Sequence, residues 1–214
     1  SIISILNELK ILDKNTEIYN FSGTSLGQVP DAFKNCNFIN VNPKLKDFSF
    51  KYIKALKKCD VILDATMGDS FSDIYSKKYY EKLILHKRIA EFFCHNYILL
   101  PQTYGPFRCK KSLKKAKKVL VKAKKIYCRD ELSKKFIEEN FKIKNIELSS
   151  DMAFVLPYDK SLYKFKKNNK IKIGINVSGL MYKGGFHSSN QFDLKFDYKE
   201  LINDIIDYYS NKKE

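Results

Sequence analysis

Short, almost wholly apolar segments alternate along this chain with stretches of helical periodicity, and that alternation leaves few folds open. Asp60–Ala65, "DVILDA", sets an apolar run between acids, and Tyr97–Pro101, "YILLP", is continuous until its proline. Strands with apolar residues at successive positions are buried on both faces, the mark of a parallel sheet covered by helices. Further strands are expected at 16–21, 36–41 and 126–129, with extended pieces near "IELSS" and "MAFVL". Helices are expected at 2–13, 50–59, 77–94, 110–125 and from Asp130 to about Asn140. The class that follows is α/β: a doubly wound, mostly parallel, Rossmann-like sheet with helices on both faces.

Residues 157–170, "PYDKSLYKFKKNNK", are polar and lysine-rich and read as a linker between a first domain at 1–156 and a second at 171–214. The second opens with an expected strand, "IKIGINVSGL", and continues into an expected helix at Tyr198–Tyr209. One strand and one helix cannot build a core, so this unit is expected to be the beginning of a larger one. The start, "SIISILNELK", lacks an initiator Met and shows no secretory leader pattern.

In open α/β sheets ligands bind beyond the carboxyl ends of the strands. Three polar loops leave expected strands at that end: 66–75, "QTYGPF" at 102–107, and "RDELS" at 129–133. They are expected to converge on one rim.

The net charge is +16, which raises a nucleic-acid reading. Only Arg88, Arg108 and Arg129 are arginines among 40 basic residues, and base and phosphate recognition leans on the guanidinium fork. The lysines are spread throughout, so no specific nucleic-acid partner is expected. The densest run, Lys110–Lys125, spaces Leu113, Ala116, Leu120 and Ala123 as an amphipathic helix with a solvated basic face. Weak contact with an anionic membrane surface is the sharper reading of that face. Cys36, Cys59, Cys94, Cys109 and Cys128 form an odd, scattered set without a CxxC pair, which argues for reduced thiols and against a zinc site. A cytoplasmic location, peripheral to the inner face of the membrane, is the matching expectation.

No P-loop, GxGxxG or HExxH motif is present, and no metal or resident cofactor is expected. "GDSFSD", Gly68–Asp73, resembles the nucleophile block of the GDSL/SGNH esterases, with Ser70 as nucleophile. Such enzymes draw their base from a DxxH block, whereas Leu83, Phe92 and Gly184 stand three residues before His86, His95 and His187. A non-catalytic module that binds glycans or polyanions is a third reading.

"GDSFSDIY", "PQTYGPF", "CRDELS", "DMAF" and "GINVSGL", in this order and spacing, together resemble the polysaccharide pyruvyl transferase family over about residues 60–181. The resemblance implies a GT-B-like pair of Rossmann-type domains. It also implies transfer of a pyruvyl group from phosphoenolpyruvate, as co-substrate, to a sugar of a cell-surface polysaccharide or its lipid-linked precursor, forming a ketal. Asp69 and Asp73, four apart, are the candidates for acid/base or acceptor work. Ser70, Tyr75, Gln102, Tyr104 and Asn176 are candidate substrate ligands, with Gly105 shaping a turn before Pro106. Arg129 is the candidate partner for a carboxylate or phosphate, with pairing to Asp151 as its competing role. Asp130 and Ser133 are read as supporting residues, Asp130 capping the helix that follows. The departures from the family pattern are Ser76, where a Gly often stands, and Tyr104, where a smaller aliphatic residue is common. The resemblance also assigns most of the donor side to the second domain.

Overall fold

The structure is a computed structural model that describes residues 16–21, 37–41, 50–65, 68, 71–75, 77–155, 159, 161, 172–185, 190 and 192–211. The chain separates into two units, Ser1–Tyr158 and Asp159–Glu214. The expected helix at 2–13 and most of the expected linker lie outside the described residues.

In the first unit β1 (Glu17–Asn20) pairs in parallel with β2 (Asn37–Asn40). β3 (Ile62–Asp64), β4 (Tyr97–Gln102), β5 (Lys125–Cys128) and β6 (Ile146–Leu148) form a second, wholly parallel sheet in sequence order. The helices are α1 (Phe50–Lys58), α2 (Lys77–Phe93), α3 (Lys110–Leu120) and α4 (Glu131–Phe141). This is the α/β, Rossmann-like architecture that the alternation of segments predicts.

The pleat explains which residues make the core. In register, Ile62 meets Tyr97 and Leu99 meets Ile126, which meets Ile146, so these side chains share one face. All five are buried, together with Ile84, Val119, Leu120 and Ile137 from the helices. Fully burying each large apolar side chain contributes about 1.5–3 kcal/mol. The other face, carrying Leu63, Ile98, Leu100 and Tyr127, is less covered.

The basic helix stops at Leu120, short of the expected Lys125. The sheet ends it: the Lys124 N–H donates to the Tyr97 carbonyl at 2.9 Å, so the backbone is drawn onto the edge of β4 and becomes β5. Lys142 closes α4 in the left-handed region (φ 56°), its N–H returning to the Glu138 carbonyl. "MAFVL" is not extended: Met152–Val155 forms a 3-10 turn, started by the Asp151 carboxylate, which accepts from the Ala153 N–H at 2.9 Å.

In the second unit the expected strand is absent among the described residues. Residues 172–178 carry no ladder, and Ile173, Ile175 and Val177 are exposed. A strand needs a neighbouring strand for its backbone groups, and no such neighbour stands among the described residues here, where the Ser178 N–H donates to the Tyr198 hydroxyl. Ser178 instead caps the short helix α5 (Gly179–Tyr182). α6 (Tyr198–Ser210) is the expected helix, capped by Asp197, whose carboxylate accepts from the Lys199 and Glu200 N–H groups.

Candidate functional site

The three strand-end loops do converge. The Thr103 N–H donates to the Gly68 carbonyl at 2.7 Å, and the Gly105 N–H to the Phe71 carbonyl at 3.0 Å. Phe71 and Tyr104 thereby pair as an isolated parallel bridge beyond the ends of β3 and β4. The Arg129 N–H reaches the Gln102 carbonyl at 3.3 Å, and the Ser149 N–H the Cys128 carbonyl at 2.8 Å, so the ladder carries on past all four strands. Gly68 has φ +54°, and a Cβ there would stand 3.3 Å from Nη1 of Arg129. A side chain at that position would be strained and would crowd the guanidinium.

Arg129 is the hub of this rim. Its Nε donates to Oγ1 of Thr103 at 2.7 Å and its Nη1 to Oδ2 of Asp151 at 3.0 Å. The competing role read from the sequence is therefore realised, but the side chain is still 28% exposed. Two of its five N–H donors account for these bonds. Beside it lies an open depression of about 450 Å³ lined by Arg129, Asp130, Glu131, Leu148, Ser149 and Ser150. That volume is in the range of small-molecule sites. Asp151 is held below the usual carboxylate range, chiefly by the Ala153 N–H and then, against burial, by Arg129.

Asp130 caps α4: its Oδ1 accepts from the Ser133 N–H at 2.7 Å, and its Oδ2 from the Thr103 hydroxyl at 3.1 Å. Burial works against its ionisation, but these bonds outweigh it and hold the carboxyl low. Ser133 is buried, and its Oγ accepts from the Tyr104 N–H at 3.0 Å. Asp130 and Ser133 thus bind the β4 and β5 loops to each other.

Asp73 is buried at the start of α3. Its carboxylate accepts from the Arg108 N–H at 2.6 Å and the Cys109 N–H at 3.2 Å. Burial opposes its ionisation, and the backbone donors with Ser112 overcome that, so its pKa lies below the ordinary value. A carboxylate so engaged holds a loop better than it moves a proton. Replacing Asp73 by Ala should cost about 1–2 kcal/mol, as for a lost helix cap, read as a lower urea midpoint.

The other candidates are dispersed. Asp69 and Ser70 lie outside the described residues. Ser72, which the sequence reading passed over, is buried and donates to the Pro106 carbonyl. Tyr75 is half-buried in the same loop. Tyr104 is buried, and its hydroxyl donates to the Tyr127 carbonyl at 3.2 Å, away from solvent. Gln102 is wholly buried: its amide nitrogen donates to the Leu100 carbonyl at 3.3 Å, while its side-chain oxygen has no hydrogen-bond partner among the described residues. Gly105, φ +75°, precedes a cis peptide to Pro106, and a Cβ there would stand 3.0 Å from the Phe136 ring. Asn176 is exposed in the second unit. His86, on α2, stacks edge-on against Tyr52 of α1, and His187 lies outside the described residues.

Sequence reading missed a buried cluster beneath the rim. Asp64, the last residue of β3, accepts from the Lys87 ammonium at 2.8 Å and from the Tyr97 hydroxyl. Lys87 also lies over the Phe71 ring, 5.0 Å from its centroid. The signal was a lysine at a core-facing position of α2, in step with Tyr80, Ile84 and Ala90.

Among the described residues no three His, Cys, Asp or Glu side chains stand close enough to hold a metal ion, and no helix is long and apolar enough to cross a membrane. A family model described as polysaccharide pyruvyl transferase matches residues 3–213. Neither the curated proteins nor the solved structures hold a significant match.

Proposed function

The chain belongs to the polysaccharide pyruvyl transferase family, a family of transferases, and from that premise we propose that it moves a pyruvyl group from phosphoenolpyruvate to two hydroxyls of one sugar. Protonation of the enol carbon makes the neighbouring carbon cationic. The two hydroxyls add there, inorganic phosphate leaves, and a cyclic ketal remains. One hydroxyl proton replaces the one given to the methyl group, and the other leaves with phosphate. No metal or redox partner enters this balance.

The observation that carries the reading is Arg129. It is a partly exposed guanidinium, oriented by Thr103 and Asp151, at the edge of an open depression lined by the segments at the ends of β5 and β6. A fixed planar fork with donors to spare suits a carboxylate or phosphate. Ser149 and Ser150 also line the depression and are neutral hydroxyl-bearing residues. Asp69 takes the acid/base role, and Asp73 holds the loop that presents it, since the Asp73 carboxylate is engaged by backbone N–H groups. The second unit is read as part of the domain that completes donor recognition. Phosphoenolpyruvate is a cytoplasmic metabolite, so the reaction belongs on that side of the membrane, with a glycan or its lipid-linked precursor as acceptor.

Titration calorimetry with phosphoenolpyruvate tests this, with phosphate and pyruvate as controls. Saturable binding should fall about 10- to 100-fold in Arg129→Ala, the worth of a charge-assisted hydrogen-bonded contact. Equal affinity in wild type and Arg129→Ala would remove Arg129 from the donor site. Binding that phosphate reproduces fully would reduce the site to a simple anion site.

A further inference from the structure

The outward side of α2 and α3 carries an arrangement that the transfer reading does not use. The two helices pack side by side, and two ion pairs tie their seam: Lys115 Nζ to Glu81 at 2.9 Å, and Lys122 Nζ to Glu91 at 3.7 Å. Glu81 and Glu91 are the only acids on α2, and α3 has none. Two acids thus stand against many more Lys and Arg side chains on the two helices, and the layer keeps a strong net positive charge.

Leu85, Arg88 and Phe92 recur at i, i+3 and i+7 on α2, and Lys114, Lys118 and Val121 at i, i+4 and i+7 on α3, so each triplet shares one side of its helix. All six are exposed, Phe92 by 69% and Val121 by 56%. Single exposed apolar side chains are common on surfaces in water, but here they stand among cations on stripes of two adjacent helices. Large apolar side chains set among ammonium groups are instead the pattern of a helix lying in a membrane interface. There the apolar groups reach the boundary of headgroups and acyl chains while the cations stay among lipid phosphates. Single-stranded nucleic acids are held in grooves with stacking platforms, whereas these stripes lie on convex helix surfaces.

We propose that the outward layer of α2 and α3 docks on an anionic lipid surface, Leu85, Phe92 and Val121 entering the interface and the lysines meeting lipid phosphates. Docking there leaves the site accessible. The rim abuts the amino end of α3, where Asp73 accepts from Arg108 and Cys109, whereas Val121 closes the other end. An 11-residue helix puts about 16 Å between them.

Flotation with vesicles of phosphatidylcholine alone, and with about one-third phosphatidylglycerol, tests this on the whole chain. Each near-surface cation is worth about fivefold in partitioning, so binding to anionic vesicles should exceed binding to neutral ones at least tenfold and fade in high salt. Lys114→Glu with Lys118→Glu should abolish it. Phe92→Ser with Val121→Ser should weaken it about tenfold or more, whereas Lys51→Glu with Lys54→Glu, the same charge change on α1, should weaken it far less. Circular dichroism on each variant separates lost binding from lost folding, and intact Phe92→Ser/Val121→Ser protein bound as wild type would overturn the apolar contribution. Equal losses from the α1 and α3 reversals would leave only diffuse charge and overturn the proposal. So would binding to heparin without binding to vesicles, or self-association through Phe92.

Discussion

Lys87→Ala should destabilise the protein by about 3–5 kcal/mol, a large share of the roughly 5–15 kcal/mol that holds a domain folded. Lys87 is buried, and its ammonium meets Asp64 at 2.8 Å while lying over Phe71. Burial draws the lysine pKa down and the Asp64 carboxylate opposes that shift. Removing the ammonium leaves a carboxylate only 11% exposed that has lost its cation, while the Tyr97 hydroxyl still donates to it. The penalty is for the stranded charge rather than the value of the pair, so removing both charges should cost much less. Lys87→Met with Asp64→Leu keeps volume and should recover most of the stability, as apolar replacements of buried pairs do. Urea unfolding of the two variants measures the difference. A Lys87→Ala loss below about 1 kcal/mol would mean that water reaches Asp64 freely and that the cluster does not hold the rim.

Much of this fold was legible because its strands and helices declare themselves by period. "YILLP" could be little but a buried strand, and the Tyr80–Ile84–Ala90 spacing little but the inner face of a helix. What failed was decided by partners distant in sequence. The strand expected at 171–180 has the right alternation, but alternation supplies no ladder, and the described residues offer no neighbour to pair with. "MAFVL" has strand composition, and one side chain, Asp151, turns it into a 3-10 helix by accepting from Ala153. Local preference lost to a local hydrogen bond in the second case, and in the first no ladder partner stands among the described residues to act on it.

The rim divides along the same line. Convergence of three loops follows from topology alone, and Arg129 could be singled out as the lone guanidinium among them. Which polar residues face a ligand could not be read. Tyr104 and Asp73 resemble ligands by type, yet one hydroxyl serves the Tyr127 carbonyl and one carboxylate serves two backbone N–H groups. A loop that must present a few groups precisely needs others to pin it, and both tasks use the same residue types. Composition therefore overstates the number of contacting residues, and only geometry separates those that hold from those that touch.

The pH dependence of stability should carry the signature of Glu91. Among the described residues neither of its buried carboxylate oxygens has a hydrogen-bond partner, and the cation paired with it, Lys122, stands at 3.7 Å, too far to replace water. Burial raises its pKa from 4.5 to about 7, against the opposing pull of Lys122 and Arg88. The folded protein then binds this proton more tightly than the unfolded chain, so stability falls as pH rises between about 4.5 and 7 and levels off above. At about 1.4 kcal/mol per pKa unit, the gap between wild type and Glu91→Gln should swing by about 2–3 kcal/mol from pH 5 to pH 8. The variant gains relative stability at the alkaline end. Its buried amide has its own cost, but that cost does not change with pH, so the swing is the diagnostic quantity and not the value at any one pH. Urea midpoints of both proteins across this range measure it, and parallel profiles would show that Glu91 is ionised and solvated in the folded state.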